Sequence, residues 1–121
     1  MIDTEFWYHS FSKGQRKDAV CRLQIFGNVV IATEIPKNQG KSITNAIPEL
    51  VEAVAASFNL DRQQLVWVEH YTPDSYKGRD RTEDFDLATF GSTDPEITGP
   101  VSWQHSSREA IEHLIGQSIP L

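Results

Sequence analysis

Cysteine and methionine are almost missing from this chain of 121 residues: Cys21 and Met1 are each alone of their kind. A single cysteine excludes an internal disulfide and a cysteine-based zinc cluster, and a domain that needs neither fits a reducing compartment. Long apolar runs are missing as well, and none approaches the roughly 18–20 residues that cross a bilayer. The opening MIDTEFWYHSF places Asp3 and Glu5 before its first aromatic residue and has no basic or apolar stretch of the signal-peptide kind. A cytoplasmic protein without a membrane anchor is the expectation.

Positive charge is scarce. Eleven Lys and Arg stand against 17 Asp and Glu, a net charge of −6. Nucleic-acid binding along an extended face draws most of its affinity from phosphate neutralisation, so this balance argues against it. The deficit is uneven. Lys13, Arg16, Lys17 and Arg22 cluster early, whereas Glu83, Asp84, Asp86, Asp94 and Glu96 share a stretch with no Lys or Arg. Such polarity suits a basic partner, self-association, or simply a solvated acidic surface.

Apolar residues are plentiful enough for a core. At 39% hydrophobic and 10% aromatic, residues 1–121 read as a single domain that buries about two thirds of its unfolded surface. Thr4 to Phe11 reads as a first strand, followed by a polar loop from Ser12 to Asp18. Ala19 to Phe26 and Val29 to Ile35 read as a hairpin around Gly27-Asn28, where glycine takes the positive φ of a primed turn. In that register Ile25 faces Val30 and Leu23 faces Ala32, with Cys21 on the same side and Arg22, Gln24 and Thr33 opposite.

Ile47, Leu50, Val51, Val54 and Phe58 fall at helical spacing, with Thr44 or Asn45 as cap and Asn59 as a left-handed stop. Leu65 to Tyr71 and Phe85 to Phe90 read as further strands. A last helix begins at Ser106, where Ser-Ser-Arg-Glu resembles a capping box, buries Ile111, Leu114 and Ile115, and stops at Gly116. The order βββαββα predicts an α+β fold: a five-stranded, mostly antiparallel sheet with two helices packed on one face.

Few motifs carry chemistry. Gly40-Lys41-Ser42 looks like the tail of a phosphate-binding loop, but Ile35 stands where that loop needs its first glycine. No G-x-S-x-G or HExxH occurs. His105, Glu109 and His113 are too few and too dispersed for a zinc site; no metal or cofactor is expected. His70, next to Tyr71, could meet Asp84 or Asp86 if their strands pair, which is the minimum equipment for acid–base chemistry.

The loop Thr72 to Glu83 is longer than its turn requires and carries Tyr76, Lys77, Arg79 and Arg81, a composition favoured at binding hot spots. With Tyr71 these form the candidate binding set. Trp103 reads as an anchor ahead of the last helix. An edge strand rich in Phe6, Trp7, Tyr8 and Phe11 is an aggregation liability that a second subunit would cover. The leading expectation is a small, acidic, non-enzymatic binding or regulatory protein that contacts a protein partner. The alternatives are a hydrolase or nuclease using His70 with Asp84 or Asp86, and an acidic decoy that imitates nucleic acid.

Overall fold

The structure, a computed structural model, describes residues 1–12, 14–34, 41–42, 48–70, 85–89 and 102–120. Its elements are β1 (Ile2–Ser12), β2 (Gln15–Phe26), β3 (Val29–Glu34), β4 (Lys41–Ser42), α1 (Pro48–Phe58), β5 (Val66–His70), β6 (Phe85–Thr89), β7 (Ser102–Ser106) and α2 (Arg108–Ile115). The fold is α+β. One sheet runs in the order β1-β2-β3-β5-β6-β7, and the two-residue β4 lies alongside β2.

This corrects the expected five strands. The first hairpin is longer than its polar sequence suggests: Gly14, at φ 76°, lets the chain reverse so that β2 begins at Gln15, where a loop was expected. One added strand, β7, has the sequence SWQHS, with a single apolar residue and no alternation to announce it. The other is β4, which pairs in parallel with Ala19 and Val20, just beyond the point where β3 leaves β2.

The central pairing is parallel. Val29 to Thr33 of β3 align with Val66 to His70 of β5, whereas β1, β2 and β3 pair antiparallel, as do β5, β6 and β7. Parallel neighbours cannot be joined by a tight turn, and the chain here crosses through α1.

The expectation that both helices share one face is overturned. Leu50, Val51, Val54 and Ala55 of α1 pack with Leu23, Ile25, Val30, Ala32, Trp67 and Ala88. Ile111 of α2 packs with Val29, Ile31, Val68 and Phe85. These two residue sets alternate along β3 and β5, so they lie on opposite faces of the sheet. Trp67, Val30, Ile31, Val68 and Phe85 are fully buried, because the central strands have a helix on each side.

Both helices end in the same way. Asn59 (φ 54°) follows α1 and Gly116 (φ 74°) follows α2, each reversing the chain in the left-handed region. Beyond them Leu60 N–H donates to the Ala55 carbonyl at 2.9 Å and Gln117 N–H to the Glu112 carbonyl at 3.2 Å, the six-to-one bond of a Schellman ending. The start of α2 is one residue later than expected. Ser106 belongs to β7, and Ser107 caps the helix by accepting from Ala110 N–H at 3.2 Å.

Cys21 is buried beneath α1, and burial pushes its thiol up to about 12, leaving it protonated and unreactive near neutrality. No helix among the described residues is long and apolar enough to cross a membrane.

Two of the apolar residues of α2 that look equivalent in sequence are not. Ile111 is 1% exposed and Leu114 46%. Ile111→Ala should therefore cost about 2–5 kcal/mol in urea unfolding, and Leu114→Ala less than about 1 kcal/mol.

Candidate functional site

On the face that carries α2, the strand registers form continuous cross-strand rows. One runs Glu5, Arg22, Thr33, His70, Phe85, Ser106. The next runs Asp3, Gln24, Ile31, Val68, Leu87, Gln104. Ile31, Val68 and Phe85 lie in the core beneath α2. Where the rows turn polar a cleft opens, with a volume of about 210 Å³, lined by Arg22, Gln24, Thr33, His70, Arg108, Ile119 and Pro120.

Each wall is held by an identifiable contact. Arg22 Nε donates to Asp3 Oδ1 at 2.9 Å, and its Nη2 donates to the second oxygen. This two-bond fork fixes the guanidinium plane and holds the Asp3 carboxyl below its usual value, chiefly through the hydrogen bond from Arg22. It engages one edge of the guanidinium, and an arginine has five N–H donors to distribute.

Gln24 is 2% exposed and donates through Nε2 to the Pro120 carbonyl at 2.6 Å. Ile119 N–H donates to Glu112 Oε2 at 2.7 Å. The segment after Gly116 is thus tied to the sheet and to α2, and it closes one side of the cleft.

His70 lies on the floor. Its ring stacks on Phe85 with centroids 4.4 Å apart and planes 6° from parallel. Its Nδ1 stands 3.4 Å from Thr33 Oγ1, a long contact. The Arg108 guanidinium lies 5.5 Å from the Phe85 centroid, within cation–π range. A single buried ring therefore positions both the histidine and the arginine. In a chain of net charge −6, this concave site gathers two arginines and a histidine.

The expected pairing of His70 with Asp86 does not occur. His70 is opposite Phe85, while Asp86 is opposite Glu69 and His105, so alternation puts them on different faces. Asp86 instead meets His105, Oδ1 to Nδ1 at 3.1 Å, next to the buried Glu69. That contact was not legible in a sequence whose β7 was unread. Trp103, on the same strand, is 49% exposed. Among the described residues no group of three or more His, Cys, Asp and Glu converges to hold a metal.

Asp84 and the binding set Tyr71, Tyr76, Lys77, Arg79 and Arg81 lie outside the described residues, as do Glu83, Asp94 and Glu96. The described chain leaves β5 at His70 and resumes in β6 at Phe85, and both residues lie on the row that floors the cleft. Arg108 was missed in sequence, where it reads only as a polar residue in a capping motif.

No protein-family model, curated protein or solved structure matches this chain.

The Asp3–Arg22 fork has a measurable pH signature. Both side chains are 31% exposed, which limits the pair to about 1 kcal/mol or less. Because the folded-state value of Asp3 is lowered, its contribution is present above the ordinary aspartate value of about 3.9 and disappears as pH falls through the lowered one. The stability gap between wild type and Asp3→Asn, followed by urea unfolding, should therefore be open at pH 7 and close in strong acid.

Proposed function

We propose that this chain is a binding protein rather than an enzyme, and that its cleft receives a single anionic group, carboxylate or phosphate, presented by a protein partner. The observation that carries this reading is the convergence of Arg22, Arg108 and His70 on one cleft of an acidic chain. Arginine offers paired donors to planar or tetrahedral anions. Phe85 beneath His70 and Arg108 limits their freedom before any ligand arrives, which lowers the entropy lost on binding.

Size supports a small group. The cleft's 210 Å³ is below the roughly 300–1,000 Å³ of pockets that enclose whole organic ligands. One headgroup or one side chain fills it, and the rest of the partner lies outside.

Asp86, on β6, lies on the opposite face of the sheet from His70. The described strand carboxylates on the His70 face are Asp3 and Glu5 of β1, with β2 and β3 between them and β5.

Inorganic phosphate and acetate test the site directly by isothermal titration calorimetry. Saturable binding in the millimolar range is expected, with an affinity of about 4 kcal/mol. Arg108→Ala should weaken it tenfold or more, since a hydrogen bond to a charged group contributes about 1.5–3 kcal/mol. Arg62→Ala, which removes an arginine paired with Glu52 on α1, should leave it unchanged. No saturable heat, or equal losses in both variants, would contradict the proposal.

A further inference from the structure

The two edges of the sheet differ in kind. β7 ends one side with five residues, whereas β1 ends the other with 11, all of them paired to β2 on the inner side. Among the described residues no strand pairs with the outer side of β1. Its sequence, IDTEFWYHSFS, holds no proline and no lysine, the usual devices that keep an edge from recruiting another strand. Trp7 stands on it 40% exposed and Ile2 41%.

We propose that β1 pairs antiparallel with β1 of a second copy of this chain, about a two-fold axis through Trp7. Trp7 is the midpoint of Ile2–Ser12, so this register leaves no residue of either strand unpaired. An axis perpendicular to the sheet must pass through a residue position, because paired residues have to share a face. Thr4, Phe6 and Tyr8, which alternate with the more exposed Asp3, Glu5, Trp7 and His9, therefore stay on the α1 side in both copies.

The charge pattern fits a second copy. The acids Asp3 and Glu5 occupy the first half of the strand and His9 the second. The two-fold places Glu5 opposite His9 of the other copy and Asp3 opposite Phe11, so no like charges meet. Phe6, which packs against the core, comes opposite Tyr8, and Trp7 opposite itself. Aromatic cross-strand pairs favour such a ladder, and like charges directly opposite would oppose it. The interface is isologous and closes on itself, so it gives a dimer rather than a fibre.

The first readout is mass. Light scattering at micromolar concentration should give twice the 13.7 kDa chain mass. The second is register. The native Cys21 is 1% exposed, too buried to cross-link in the folded protein. Trp7→Cys should form a covalent dimer in oxidising buffer, because directly opposed residues have Cα atoms about 4.5–5.5 Å apart, within disulfide reach. Glu5→Cys should not, since in this register each copy's position 5 lies about 13 Å from the other's. A wild-type mass of one chain overturns the proposal. So does a dimer that cross-links through Glu5→Cys as readily as through Trp7→Cys.

Discussion

The parallel pairing of β3 with β5 constrains the rest of the molecule. Two parallel neighbours require a crossover, and α1 lies on that crossover, which places it on one face of the sheet. Val30, Ala32 and Trp67 then face α1, while Val29, Ile31 and Val68 need a second cover. The chain provides it with α2 and the segment after Gly116. A helix of eight residues is unstable alone. It persists here because Ser107 caps it, Ile111 is buried, and Glu112 holds the returning chain.

The cleft follows from the same constraint. Each central strand is apolar toward one end and polar toward the other on the α2 face: Ile31 gives way to Thr33, Val68 to His70, and Phe26 to Gln24 and Arg22. The registers bring these polar ends into one row, and α2 sets Arg108 beside it. Phe85 belongs to both regions, as the last fully buried apolar side chain of the row and the surface on which His70 stacks.

Much of this was legible in sequence. Gly27-Asn28 announced the hairpin, and the pairs Ile25–Val30 and Leu23–Ala32 have the expected register. Helical spacing located α1, and Asn59 and Gly116 marked two helix ends. The side of the sheet taken by α2 was misjudged, although VVIA in β3 and LVWV entering β5 are unbroken apolar runs, the pattern of strands buried on both faces. β7 gave no signal because an edge strand with one apolar residue obeys no alternation. His70 was a site candidate, whereas Arg22, Gln24 and Thr33 read only as the hairpin face opposite the core, because their convergence depends on strands brought together by a crossover rather than by a turn. Arg108 needed the helix docked before it had a neighbour.

The central claim is that the α2-face cleft is a built site for one anionic group. It is tested most directly by NMR, following the side-chain N–H signals of Arg22, Arg108 and Arg62 and the ring signals of His70 during a phosphate titration. The account predicts that Arg22, Arg108 and His70 shift together along one saturable curve while Arg62 stays still. Uniform small shifts across all the arginines, or a saturable response centred elsewhere, would contradict it.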